Sequence, residues 1–207
     1  SLKLLFNKKN KDIRKRILFT LGCLFVFIIG TTIPVPGTQG ALSGLGIWEL
    51  YNSITGGALK NFSIFALGVM PYISASIITG ILQMDIIPYF TELKDSGPAG
   101  RQKINQINRY LGIALAFLQG FAMSFAFIKG AGALTYLKTA LILTAGTAFL
   151  LWLGDQITQK GIGNGISLLI MAGIIATIPN MFIETFQALI LERTGSLFIG
   201  ILSFALF

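Results

Sequence analysis

Residues Gly56–Gln83 read GGALKNFSIFALGVMPYISASIITGILQ, and the interpretation of this stretch decides the fold. It opens on two glycines, carries Lys60 and Asn61 through a short apolar segment, and breaks at Gly68–Pro71 before a second apolar run. Proline lacks a backbone donor, clashes with the preceding turn and pushes the residue before it out of helical geometry. The pattern predicts two pieces, a half-helix over 53–67 and a membrane-length helix over 70–87. Inside a bilayer, interrupted backbone persists only where protein or a water-filled cavity satisfies its polar groups. The break therefore implies a cavity.

The rest of the composition fits a bilayer. Of 207 residues, 54% are hydrophobic and only 12% charged, and the mean hydropathy is +0.76. Several apolar runs approach the roughly 20 residues needed to cross hydrocarbon. The formal net charge of +8 would suggest nucleic acid in a water-soluble chain, but seven of the 16 basic residues precede Ile17. Residues 1–16 thus form a basic arm (Lys3, Lys8, Lys9, Lys11, Arg14, Lys15, Arg16), which the positive-inside rule puts in the cytoplasm. Either a topology signal resting on anionic lipid or a docking role for a partner or RNA accounts for it. The following apolar run ends at Pro34 and Pro36 without a small-residue cleavage pattern, so it reads as a retained first span rather than a signal peptide.

Alternation of basic and sparse loops extends the topology. Expected spans are 17–33, 70–87, 110–128, 139–157 and 165–183, the last interrupted by Pro179, with 37–52 outside. The hydrophilic stretch Pro88–Arg109 and the compact Asp155–Gly165 loop fall on the cytoplasmic side. Twelve basic residues lie inside by this reading, against Lys60, Lys129, Lys138 and Arg193 outside. Residues 187–207 read as an external loop and the start of a sixth span, because Leu197–Phe207 is apolar but only 11 residues long. The chain is thus expected to be the first part of a longer protein.

Candidate chemistry is sparse. The sequence has no His and one Cys, Cys23 within an apolar helix, so His-based metal sites, Ser-His catalysis and internal disulfides are unavailable. Asp85 and Asp155 fall at helix ends and Glu49, Glu184 and Glu192 in external segments, leaving no acid at mid-membrane where it would mark an ion path. No cofactor, metal or enzymatic activity is expected. At depth the polar residues are Ser74, Ser76 and Thr79, which serve equally well as helix-packing contacts. The glycines of GIGNG (161–165) are equally a tight turn and cap before a helix.

Four blocks in the same order carry a resemblance: IPVPG at Ile33–Gly37, GGAL…SIFALGVMPYISASII at Gly56–Ile78, GRQKINQINRY at Gly100–Tyr110, and WLGDQITQKGIGNGISLLI at Trp152–Ile170. Together they resemble the SecY family, the pore subunits of protein-conducting channels. The resemblance implies an all-α membrane helical bundle, one half of a ten-helix inverted-repeat channel. It implies passage of unfolded polypeptides across, and of membrane segments laterally into, the plasma membrane, with the amino terminus cytoplasmic. It also implies a plug at Ser53, Ile54, Thr55, Gly56, Gly57, Ala58, Leu59, Lys60, Asn61 and Phe62, extending towards Phe65. The family's pore ring falls on Val69, Ile73 and Ile170, and its lateral gate on Ser74 and Ile77. Cytoplasmic docking falls on Arg101, Lys103, Arg109 and Lys160. Implied partners are SecE, SecG, the motor ATPase SecA, the translating ribosome with its RNA, the translocating polypeptide with its signal sequence, and the lipid bilayer.

Two departures from the family pattern bear on these assignments. Thr79-Gly80 replaces a glutamine common after SASII, weakening a polar gate contact, and Arg101-Gln102 replaces an arginine pair. No GxxxxGK[ST] loop is present, so energy for transport has to come from a partner. The competing class is half of a secondary solute transporter, which also uses broken helices but would place charged or clustered polar residues at their depth. A purely structural scaffold gives no reason for the break.

Overall fold

The computed structural model describes residues 11–36, 52, 54–59, 61–84, 86–128 and 132–190. Ser53, Lys60, the start of the basic arm, the expected external stretch over 37–51 and the expected sixth span lie outside the described residues. Among the described residues six helices follow one another: α1 (Lys11–Thr32), α2 (Met70–Leu82), α3 (Pro88–Asp95), α4 (Gly97–Phe127), α5 (Ala133–Lys160) and α6 (Gly165–Ile190). Among the described residues the extended structure is one isolated bridge, Pro34 to Ser63. The all-α expectation holds.

Packing follows connectivity for the last three helices. α4 lies between α2 and α5, α5 also contacts α6, and α1 crosses onto both α5 and α6. α5 is long and apolar enough to cross a membrane, whereas α2 is a shorter apolar helix. Two apolar clusters form the interior. One gathers Phe27, Phe65, Val69, Leu150, Leu153 and Leu169, the other Val35, Leu59, Phe62, Leu67, Ala116 and Leu143. Residues 54–69 contribute to both.

The helix boundaries revise several expectations, and α5 (Ala133–Lys160) outruns the expected fourth span over 139–157 at both ends, entering the expected Asp155–Gly165 loop. The half-helix over 53–67 is not formed: residues 55–59 and 64–69 run as turns. Gly56, Gly57 and Gly68 have φ of 71°, 80° and 56°, and Phe62 has 42°, and each left-handed residue stops a right-handed helix from propagating. The second span ends at Leu82 instead of 87. There Gln83 closes the last turn onto Thr79, and Ile87, preceding Pro88, is extended, as the proline ring requires.

The hydrophilic 88–109 region is helical throughout most of its length, forming α3 and the first turns of α4. Its polar residues alternate with a buried face, including Leu93, Ile104 and Asn108, so polarity there marks an amphipathic surface and not a loop. α6 runs through Pro179 to Ile190, beyond the expected end at 183.

Candidate functional site

The site is built around the turn segment that leads into α2. Its amide groups close a series of single turns: Phe62 donates to Leu59 O at 2.9 Å, Ala66 to Ser63 O at 2.9 Å and Gly68 to Phe65 O at 2.8 Å. The chain leaving α1 then clamps it, with Val35 N donating to Phe62 O at 2.9 Å and Ile64 N to Ile33 O at 3.1 Å. From α5, the buried Thr147 hydroxyl donates to Gly68 O at 3.2 Å. The polar backbone created by the helix break is thus satisfied by neighbouring protein, as low-dielectric surroundings demand. Phe65 is stacked between Phe27 of α1 and Phe149 of α5, with ring centroids 6.2 Å and 5.9 Å away.

Val69, Ile73 and Ile170 are brought together. Val69 is buried (5% exposed) at the foot of α2, and the amides of Tyr72 and Ile73 donate to its carbonyl at 3.1 Å each. Ile73, one turn on, and Ile170 on α6 pack against the same apolar cluster as Val69. Branched apolar side chains placed this way carry no charge and present nothing to hydrate an ion; what they can do is narrow a passage and keep it dry.

Of the expected plug residues described, Thr55, Ala58, Leu59 and Phe62 are buried, Ile54, Gly56 and Gly57 half-buried, and Asn61 exposed. Ser74 is half-buried on α2 and Ile77 is 59% exposed one turn further. Thr79 faces the other way. Its buried hydroxyl hydrogen-bonds Asn108 Oδ1 on α4, so the residue standing where the family has a glutamine joins two helices of this chain.

Arg101 and Lys103 are exposed on α4, and Lys160 is exposed on the last turn of α5. Arg109 differs: its Nη2 lies 2.5 Å from Asp155 Oδ2, so its charge is already matched within the chain. A polar cavity of about 180 Å³ adjoins this pair, lined also by Tyr72, Asn105, Thr158 and Asn164.

The 161–165 turn is a helix cap. Asn164 Oδ1 accepts from the amides of Ile166 and Ser167 at 3.0 Å and 3.3 Å, satisfying two of the donors that every helix start leaves open. The turn is also fixed to α1, because Thr20 Oγ1 accepts from Ile162 N at 3.1 Å while Arg16 Nη1 reaches Gly161 O at 3.4 Å.

Several positions that shape the site went unread in the sequence. Thr147, Gly146 and Gly173 hold the turn segment from α5 and α6: a Cβ on Gly146 would sit 1.9 Å from Ile64 O, and one on Gly173 would sit 2.6 Å from Ile54 O. The available signal was the presence of small residues inside otherwise bulky apolar helices.

Residues 63–207 match the family model described as SecY. The chain belongs to the SecY family. The protein translocase subunit SecY of Staphylococcus carnosus is 51% identical, over 86% of this chain and 45% of the relative. That of Staphylococcus epidermidis is 52% identical, over 82% and 43%. The chain spans less than half the length of these curated SecY relatives. Sec61 in the canine ribosome-channel complex from the endoplasmic reticulum has the same fold, with a TM-score of 0.63 at 22% identity over 89% of this chain and 40% of that one. So does a protein-conducting channel matched at 0.63 and 21% identity, again over 89% and 40%. A SecY structure whose plug domain stabilises the closed state and maintains a membrane seal aligns at 0.58 and 20% identity, over 89% and 39%. SecY membership agrees with the membrane location read from composition, and none of these relatives is a solute transporter.

Proposed function

We propose that this chain supplies one half of a protein-conducting channel in the plasma membrane, with its amino terminus cytoplasmic. Unfolded polypeptides pass through the channel and hydrophobic segments leave it sideways into lipid. The observation that carries this reading is the convergence of Val69, Ile73 and Ile170 on one apolar cluster to which the turn segment also contributes Ala58 and Phe65. Val69, Ile73 and Ile170 form this half's share of a pore ring, and residues 53–62 form the plug above it. A ring of this kind excludes water when idle yet makes only non-directional contacts, so it accepts any extended chain. Ser74 and Ile77 face the lateral exit.

Partners follow from what the chain lacks and presents. It has no phosphate-binding loop, so directed movement is driven from outside, by a ribosome or by the motor SecA; SecE and SecG complete the membrane assembly. The ribosome is supported by the Sec61 neighbour, whose complex contains one. Arg101, Lys103 and Lys160 provide exposed positive charge for docking, including contact with ribosomal RNA. Arg109 belongs to the internal pair instead.

A photo-crosslinker placed at Ile73 or Ile170 of the intact membrane-embedded protein tests the reading. A secretory polypeptide stalled in transit is expected to crosslink to both positions and not to Ile29, which is exposed on α1. Crosslinks at Ile29 alone would refute it.

A further inference from the structure

Two parts of the 54–69 segment are held in different ways. Downstream of Phe62, the hold is extensive: the Pro34 bridge, the Thr147 hydrogen bond, the Phe65 stack and the tight fit of Ile64 O against Gly146 all converge there. Upstream, at Ile54–Gly57, the grip of α6 is a close approach between backbones. A Cβ on Gly56 would fall 3.1 Å from Gly173 Cα, and one on Gly173 would fall 2.6 Å from Ile54 O and 3.1 Å from Gly56 N. One turn along α6, the Thr177 methyl faces Gly57 at the limit of contact, 4.0 Å from where its Cβ would be. Thr177 is buried, and its hydroxyl is turned back onto the Ile174 carbonyl at 2.9 Å. Its methyl is therefore the part offered to Gly57.

We propose that Gly173 is the seat of the plug. Its missing side chain lets residues 54–57 lie directly on the α6 backbone, and this contact sets how much of the time the plug rests closed. The segment from Phe62 onward is the fixed anchor about which the upstream part lifts. Gly56 and Gly57, with φ of 71° and 80°, supply the backbone freedom for that lift. This rests on the channel reading above. Gly173 acts as a positioning residue: it touches no transported chain and works through the plug.

The seat is a backbone contact, so one methyl group is enough to disturb it. In the intact protein, reconstituted in vesicles and carrying Cys23→Ala, a reporter Thr55→Cys measures plug position, because Thr55 is buried when seated. Overpacking at this distance is expected to make Gly173→Ala raise the rate at which a water-soluble maleimide labels that cysteine about tenfold. The resting ion leak should rise with it. Thr177→Leu, crowding Gly57 one turn further along α6, should do the same to a smaller degree. Ile174→Ala, altering the exposed neighbour, should do neither. A second reporter, Ser124→Cys, buried on α4, should stay protected in every variant.

Unchanged labelling at position 55 in Gly173→Ala and Thr177→Leu overturns the seat, whatever the leak. An equal rise at position 124 shows general loosening and overturns it too. Faster labelling at 55 alone upholds the seat, and if no leak accompanies it the channel reading is what fails.

Discussion

Arg109 of α4 and Asp155 of α5 meet at 2.5 Å, tying the first half of α4 to the last turns of α5. Both side chains are partly open to solvent, so their attraction is screened and the pair is worth little more than a surface bridge, about 1 kcal/mol or less. Thr79 and Asn108 make the corresponding tie between α2 and α4. One helix, α4, thereby carries polar connections to both α2 and α5.

The first prediction separates Arg109 from the basic residues beside it. Arg109→Ala and Asp155→Ala should each lower the thermal midpoint in detergent slightly, and the double variant should lose less than the sum, with a coupling of about 0.5 to 1 kcal/mol. Raising salt should shrink that coupling. Additive losses at low salt would mean that the pair makes no energetic contribution.

Docking gives the second prediction. Arg101 and Lys103 are exposed and near the start of α4, whereas Arg109 has its counter-charge in place. Arg101→Glu with Lys103→Glu should weaken ribosome or motor binding, most at low ionic strength, while membrane insertion remains normal. Arg109→Ala should leave the binding curve close to its original position. Equal weakening by both would show that the ion pair opens to the partner, and unchanged binding by the Glu variant across a salt series would leave these charges only an orienting role.

Glycine position supplies the third. A methyl group added at Gly22 or Gly80 would find nothing within 4 Å, whereas one added at Gly146 would meet the Ile64 carbonyl at 1.9 Å. Gly22→Ala and Gly80→Ala remove backbone freedom from a helix interior and should stabilise by up to about 1 kcal/mol. Gly146→Ala has to displace a backbone oxygen and should destabilise by about 1 to 3 kcal/mol. Thermal unfolding in detergent reads all three; a neutral Gly146→Ala would show that the anchor segment yields easily.

These contrasts also mark where the sequence was legible. The break at Gly68–Pro71 could be read because proline and glycine act on their own backbone, and α2 does begin at Met70 with Pro71 in its first turn. Val69, Ile73 and Ile170 share one apolar cluster, a grouping suggested by motif resemblance alone, since no local pattern would join residue 170 to residue 69. The turn conformation of 55–59 and 64–69 was hidden, since the apolar pattern there is equally helical and nothing local announces the left-handed φ of Phe62, beside which the chain leaving α1 is hydrogen-bonded. The end of α2 was misread because Ile81, Ile86 and Ile87 extend the apolar run past Leu82, where the helix stops; Pro88 accounts only for the extended Ile87. Arg109 looked like one basic residue among several because its partner is 46 positions away. Gly173 and Gly146 carry no chemistry of their own and matter only through what lies against them.

The ring gives the last prediction, and it asks two readings of the same cluster to differ. Ile73 and Ile170 pack with Val69, Phe65 and Leu169, which would equally describe an ordinary membrane-protein interior. If they form a dry constriction, Ile73→Ser with Ile170→Ser should let water persist and raise the resting ion leak of reconstituted vesicles, because the barrier to ions is the absence of hydration. If they are only core, the same changes should cost stability, about 1 to 5 kcal/mol for large-to-small substitutions, without conductance. A matched pair packed against the second apolar cluster, Met123→Ser with Ile142→Ser, supplies the comparison, since those residues are partly buried like Ile73 and Ile170 but belong to neither ring nor plug. Leak specific to the 73/170 variant, with similar thermal midpoints in the two, supports a pore. Ion-tight vesicles from a folded 73/170 variant would remove the ring, and with it the reason for treating the helix break as the mouth of a channel.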